Sequence, residues 1–203
     1  MKKQILSITA FVVIGFAFSA IGTAQITKDA DTITLERNGV KITVPRLENE
    51  RLTYTKRNSK TWVFFTVKNT ERPGRKYYSN ISQEGSIAIM DQKQTLEELA
   101  LKEKQMHAQK YTSTKISDFD GGGKLLVYEE EVGRDLVERR VLLWWNEGES
   151  IIRLDFTYRD FVGGTKVKKG RQFVIDTLSG LRVNGQPVPA SAAYLKVLKV
   201  LEV

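Results

Sequence analysis

Three runs of strand-forming residues, at 125–132, 136–145 and 151–159, follow one another with only short breaks at Gly133-Arg134-Asp135 and Asn146-Glu147-Gly148-Glu149. Strands joined so closely must pair antiparallel, because a parallel partner needs a crossover of about a dozen residues or more. The chain is thereby committed to a meander in its centre. In the last run Ile152, Leu154, Phe156 and Tyr158 alternate with Arg153, Asp155 and Thr157, the period of a strand buried on one face. Pairing Leu143 with Ile152 and Val141 with Leu154 keeps apolar residues together and sets Arg140 opposite Asp155, whereas a one-residue slip sets Val141 against Asp155. In this register Trp145 faces the core with Val141 and Leu143. Trp144 shares the other face with Ile151, Arg153, Arg140 and Asp155.

The flanking segments add hairpins and helices. Residues 33–44 read ITLERNGVKITV, and Asn-Gly between alternating runs predicts a hairpin closed by a type I′ turn. Pro45 ends its second strand. Residues 46–60 are polar and irregular and read as a loop. Strands are expected at 62–67, 77–81 and 86–90, with a Pro-Gly turn at 72–75. Thr95-Leu96-Glu97-Glu98 has capping-box spacing and opens a helix over 96–110, with Leu96, Leu99, Ala100 and Met106 on one side. A second helix over 168–178 places Val174, Thr177, Leu178 and Leu181 on one stripe, and Gly180 reads as its stop. Pro187 and Pro189, after Asn184-Gly185, have the look of a linker to a short amphipathic helix.

The N-terminus says where the protein works. Lys2 and Lys3 precede an uncharged apolar run from Ile5 to Ile21, and Gly22 and Ala24 stand at −3 and −1 of a cut before Gln25. That is the layout of a secretory signal peptide. The expected organisation is a signal peptide at 1–24, one domain at 25–185 and a tail at 186–203. Localisation is accordingly exported, periplasmic or secreted, and bacterial, with no membrane span left after cleavage. With the leader gone the net charge falls from +8 to +6. Both signs are interspersed, which fits an evenly charged surface better than a nucleic-acid groove. The chain has no cysteine, so neither disulfides nor a lipid anchor on cysteine are available to it.

The order of these segments resembles the PsbP-like family. The similarity runs over roughly residues 33–183: the hairpin ending in Val44-Pro45, the strand at 86–90, the helix TLEELALKEKQM, then GGGKLLVYEEEV, RRVLLWWNEGESIIRLDFTY and QFVIDTLSGLRV. The family spans the photosystem protein PsbP, a nuclear Ran-binding import factor and DcrB-type bacterial envelope proteins. The resemblance implies an α+β fold with an antiparallel sheet flanked by helices, an α/β/α sandwich. It also implies binding or assisting other proteins. No shared site motif accompanies it, so no residue role transfers.

Candidate chemistry is sparse. His107 is the only histidine, and without cysteine no zinc site of His/Cys type and no Cys–His pair can form. A Ser-His-Asp triad is formally possible, but a histidine inside the 96–110 helix reads first as a partly exposed helix residue, since a catalytic base needs a nucleophile within hydrogen-bond reach. Asp118-Phe119-Asp120-Gly121-Gly122-Gly123 lacks the further ligands of a calcium loop, and Lys124 opens a strand where a phosphate loop would open a helix. Among Glu129, Glu130 and Glu131 only the outer two share a strand face, and ion pairs with Arg139 or Arg140 account for them. The Asn80-Ile81-Ser82 sequon carries meaning only in a eukaryotic secretory route. The expectation is therefore a non-catalytic binding or accessory protein, with no cofactor and no metal, whose partner is another protein or an envelope component. Trp144, Arg153 and Arg159 are the candidate partner anchors, since Trp and Arg concentrate at interface hot spots. Lys166, Lys168, Lys169 and Arg171 form a candidate anion-binding stretch. The competing readings are a secreted enzyme of unrecognised class, which a His107 network would support, and a binder of anionic surfaces.

Overall fold

The computed structural model describes residues 25–28, 31–46, 52–58, 62–69, 83–109, 111, 113–119, 122–133, 136–161 and 169–188. The expected leader at 1–24, the turn at 72–75, the strand at 77–81, the sequon at Asn80, the cations Lys166 and Lys168 and the segment after 188 lie outside them. The described chain opens with strands β1 (Gln25–Lys28), β2 (Thr32–Arg37) and β3 (Val40–Pro45), followed by β4 (Leu52–Asn58), β5 (Trp62–Asn69) and β6 (Gln83–Asp91). Helix α1 (Leu96–His107) precedes β7 (Ser113–Phe119), β8 (Gly123–Gly133), β9 (Leu136–Glu147) and β10 (Ser150–Phe161). Helix α2 (Lys169–Gly180) and the two-residue strands β11 (Arg182–Val183) and β12 (Gln186–Pro187) complete it.

Two antiparallel sheets result. Seven strands run in the order β4-β5-β6-β10-β9-β8-β7, and five in the order β1-β2-β3-β11-β12. On one face of the larger sheet Val141, Leu143 and Trp145 of β9 and Ile152, Leu154, Phe156 and Tyr158 of β10 meet Ile33, Leu35, Ile42 and Val44 of the smaller sheet, with Val174 and Leu178 of α2. On the other face Leu126, Tyr128, Leu142, Trp144 and Ile151 lie under Leu96 and Ala100 of α1. The fold is α+β, with helices on opposite faces of the central sheet as expected. The second sheet sharing a layer with α2 was not anticipated. Each fully buried aromatic or aliphatic side chain contributes about 1.5–3 kcal/mol by leaving water.

Turn chemistry explains the hairpins. Asn38 and Gly39 have φ of 50° and 73°, the left-handed pair that a type I′ turn requires. The β9–β10 turn uses only Gly148 and Glu149, with Gly148 at φ 58°, as in a type II′ turn. That tight turn corrects the expected register by two residues: Leu143 faces Leu154 and Trp145 faces Ile152. Arg140 sits opposite Thr157, with Asp155 its diagonal neighbour. A shift of two leaves every side chain on its face, so alternation could not distinguish the two registers.

Other expectations are corrected by pairing. Residues 52–58 form strand β4 rather than a loop, zipped antiparallel to β5 from Leu52↔Asn69 to Asn58↔Val63. Its Lys56 and Arg57 belong to an edge strand, where charge guards unpaired backbone groups. The boundary set after Gly185 falls inside a hairpin: Asn184 (φ 50°) and Gly185 (φ 80°) turn the chain from β11 into β12, and Val188 is buried in the main core. Met106 is 57% exposed, because the inward stripe of α1 continues through Glu103 and His107 instead.

Gly180 is needed for space rather than for a left-handed φ. A Cβ there would stand 2.9 Å from both Cβ and Cδ of Pro45, with the ring's Cγ closer still. Overpacking of this kind costs about 1–3 kcal/mol. Gly180→Ala should lower the unfolding free energy by that amount and so move the urea midpoint down at unchanged m-value, and an unchanged midpoint would show that the Pro45 end of β3 yields freely.

Candidate functional site

Helix α1 presents two different surfaces to the sheet. Its N-terminus is fixed by the capping box: the Glu98 N–H donates to Thr95 Oγ1 at 3.2 Å and the Thr95 N–H to Glu98 Oε2 at 2.8 Å. Lys124 of β8 ties that end further, 2.5 Å from Glu97 and 2.7 Å from Asp118. Asp118 first and Glu97 second hold the Lys124 ammonium above its ordinary pKa. Leu96 and Ala100 then pack on the apolar part of the sheet. One and two turns later the same stripe carries Glu103, 7% exposed, and half-buried His107. Side chains three and four apart share a helix face, so the inner surface of α1 changes midway from apolar to charged.

The sheet answers with charge. Arg140 of β9 grips Asp155 of β10 in bidentate fashion, Nε to Oδ1 at 3.0 Å and Nη2 to Oδ2 at 2.7 Å. Arg153 Nη2 lies 3.0 Å from Asp155 Oδ2 and 3.0 Å from Glu103 Oε1, with its guanidinium carbon 6.0 Å from the centre of the Trp144 ring. The free corner of Arg140, Nη1, meets His107 Nε2 at 2.6 Å, while Glu103 Oε2 stands 3.3 Å from the same nitrogen. Edge-on contacts at 5.9 Å and 5.3 Å pack the imidazole against Tyr111 and Tyr128. Burial works against the charge on Arg140, yet its hydrogen bonds to Asp155 and the carboxylates of Asp155 and Glu103 outweigh that and raise its pKa. Burial, with the charge of Glu103, pushes the Tyr128 phenol well above its usual value. Its hydroxyl, Glu103 Oε2 and Arg153 Nε are buried without a hydrogen-bond partner.

The proposed anchors are not one surface. Trp144 is 1% exposed beneath α1, so a partner cannot touch it in this arrangement and it is withdrawn as a surface anchor. Its cross-strand neighbour Arg153 is committed to Asp155 and Glu103. Arg159 lies six residues farther along β10, about 20 Å at strand rise, and pairs with Glu138 through Nε and Nη2 at 2.8 Å and 2.7 Å. Of the basic stretch, Lys169 and Arg171 fall in the first turn of α2. The expected ion pair of Glu129 forms with Arg139, at 2.7 Å.

Alternation alone places Arg140, Arg153 and Asp155 on one face of the sheet, and what it does not show is that Glu103 and His107 of α1 and Tyr128 of β8 meet them. A signal was available in the spacing of Leu96, Ala100, Glu103 and His107, which continues one helical stripe. A His107 network does exist. Among the described residues its polar contacts are Arg140, a guanidinium that can only donate, and Glu103, a carboxylate already paired with Arg153. Among the described residues no group of three or more acidic or histidine side chains is placed to hold a metal ion, and no helix is long and apolar enough to cross a membrane.

No protein-family model matches the chain, and no curated protein matches it. Among solved structures it is similar to the crystal structure of the Saccharomyces cerevisiae Ran-binding protein Mog1p, with 10% sequence identity and a TM-score of 0.36, over 88% of this chain and 92% of that one. The α+β reading stands on strand order and register, not on that likeness.

Two outcomes follow from the charge cluster. Asp155→Ala leaves Arg140 half-buried without its carboxylate and should cost about 3 kcal/mol, whereas Arg140→Met with Asp155→Leu should cost less; equal losses in denaturant melts would contradict this. Because folding holds the Tyr128 phenol neutral, its contribution is complete below about pH 10 and falls as the unfolded chain ionises above it. Tyr128→Phe should flatten that alkaline loss and, with no hydrogen bond to lose, change stability at pH 7 by less than about 1 kcal/mol.

Proposed function

We propose that the chain is an exported bacterial protein that acts by binding, as an accessory to another protein or envelope component, and not as an enzyme. One observation carries the non-catalytic part. The charged side chains gathered between α1 and the sheet are paired with one another, Arg140 with Asp155 and His107 and Arg153 with Asp155 and Glu103, so that only single atoms such as Glu103 Oε2 and Arg153 Nε keep unused capacity. A general base must instead reach a proton on a nucleophile or substrate, and His107 faces a guanidinium. Such a cluster orients a helix on a sheet.

Export is supported by the basic, apolar and small-residue order of the first 24 residues. A cut before Gln25 removes none of the described residues, the first of which pairs with β2 at Gln25↔Glu36. The absence of cysteine suits an envelope protein that relies on its core rather than on disulfides.

Expression of the full chain with a C-terminal tag in a bacterial host tests this reading. Intact mass of the exported fraction should correspond to a chain beginning at Gln25, and crosslinking in that fraction should couple it reproducibly to one envelope component. A product that keeps its leader in the membrane, or stays in the cytoplasm, would overturn the export reading. Turnover of a substrate that is abolished by His107→Gln would overturn the non-catalytic one.

A further inference from the structure

We propose that His107 is a proton-operated clasp that holds the C-terminal turn of α1 on the sheet when neutral and releases it when protonated. The geometry sets up a choice at one atom. Nε2 stands 2.6 Å from Arg140 Nη1 and 3.3 Å from Glu103 Oε2. A guanidinium can only donate, so the contact with Arg140 requires the ring nitrogen to bring a lone pair. A carboxylate can only accept, so the contact with Glu103 requires the same nitrogen to bring a proton. Neutral imidazole therefore ties α1 to β9, and imidazolium exchanges that tie for Glu103.

The two partners differ in what they connect. Arg140 belongs to the sheet and is itself locked by Asp155. Glu103 lies four residues back on the same helix, so a His107–Glu103 pair fastens α1 only to itself. Glu103 Oε2 has no hydrogen bond and is positioned to take the proton-bearing nitrogen. All groups facing the ring point the same way. From β9, Arg140 repels imidazolium, and from β10 Arg153 adds a second positive charge whose neutralisation by Asp155 and Glu103 is already in place. From α1, Glu103 receives it. Tyr111 and, from β8, Tyr128 present ring edges rather than a charge.

Release has a defined reach. Leu96, Ala100, the capping box and Lys124 hold the first half of α1 independently of His107, and Arg153 holds Glu103. Beyond Glu103 the sheet is reached through His107 and through Tyr111, whose ring lies 4.8 Å from that of Tyr128 and whose N–H donates to the His107 carbonyl at 3.2 Å, so the seat of Tyr111 follows the turn that His107 holds. Loosening this turn uncovers Tyr111 and Tyr128 with Arg140 beside them, an aromatic and arginine combination typical of interface hot spots. The clasp rests on the binding reading above for its use, but not for its existence.

Hydrogen exchange and ring NMR on the mature chain test it without any partner. As the single imidazole is titrated, the amides of Met106, His107, Ala108 and Tyr111 should lose protection at least tenfold, with the same midpoint as the ring. The amides of Leu99 to Glu103 should not respond. In His107→Gln, whose amide oxygen can accept from Arg140 at any pH, the response should vanish. Constant protection across the ring titration would overturn the clasp, and so would an equal response in His107→Gln or a loss spread over the whole of α1. Failure to find a partner would leave these amide results intact, so the two readings fail separately.

Discussion

The ladder between β9 and β10 is the constraint on which both halves of the molecule depend. It runs unbroken from Leu136↔Phe161 to Glu147↔Ser150, and each strand points alternate residues to opposite faces. One set, Val141, Leu143 and Trp145 with Ile152, Leu154, Phe156 and Tyr158, forms the floor of the main core. The other set begins apolar, with Trp144, Leu142 and Ile151, and turns ionic at Arg140, Arg153 and Asp155. A single displacement of the pairing by one residue would bury the ions in the core and expose the aromatics. The two-residue turn at Gly148-Glu149 prevents the remaining, face-preserving slip of two.

The mixed character of that second face accounts for the helix above it. A helix docked wholly on apolar residues would be held by the hydrophobic effect along its length. Here the first half of α1 is held that way and the second by ion pairs that must satisfy both direction and protonation state. Half-buried pairs contribute little net stability compared with an apolar replacement, but they are costly to break singly. The same residues therefore give α1 a definite position and a conditional attachment, and both properties originate in alternation along β9 and β10.

Much of the fold was legible because local chemistry and tertiary contacts agree. Asn38-Gly39 turns as its φ preference dictates, Thr95 and Glu98 cap reciprocally, and the meander falls where the alternation ends. What was not legible depends on distant residues. Residues 52–58 lack a clear apolar stripe, and only pairing with β5 makes them a strand. Asn184-Gly185 carries the same turn signal as Asn38-Gly39, but strands of two residues give no alternation by which to recognise a hairpin. Met106 looked apolar enough for the inner stripe of α1, whereas the sheet below it offers arginines, which Glu103 and His107 match. The sheet half of the charge cluster, Arg140, Arg153 and Asp155 on one face, was legible from alternation, but its closure by Glu103, His107 and Tyr128 was not. Its members come from α1, β8, β9 and β10, and a diagonal contact such as Arg140 to Asp155 depends on a register that alternation determines only to within two residues.

A chain without cysteine must join its two sheets by other means, and the turns supply part of the answer. Asn38, held at positive φ, directs its amide to Asp91 at 3.3 Å and to Ser150 at 3.4 Å, and Arg37 reaches the same Asp91 at 2.7 Å. Asn184, the other non-glycine at positive φ among the described residues, donates to Glu147 at 2.9 Å while its side-chain oxygen accepts from the Lys41 N–H at 2.9 Å. Both asparagines belong to turns of the smaller sheet, and their acceptors at Asp91, Glu147 and Ser150 lie on the larger one. Asparagine tolerates the left-handed conformation and still carries an amide; glycine in its place would keep the turn and lose the stitch. The same two residues thus close the hairpins of one sheet and fasten it to the other, at the end of the β9–β10 ladder where the register of the whole molecule is set.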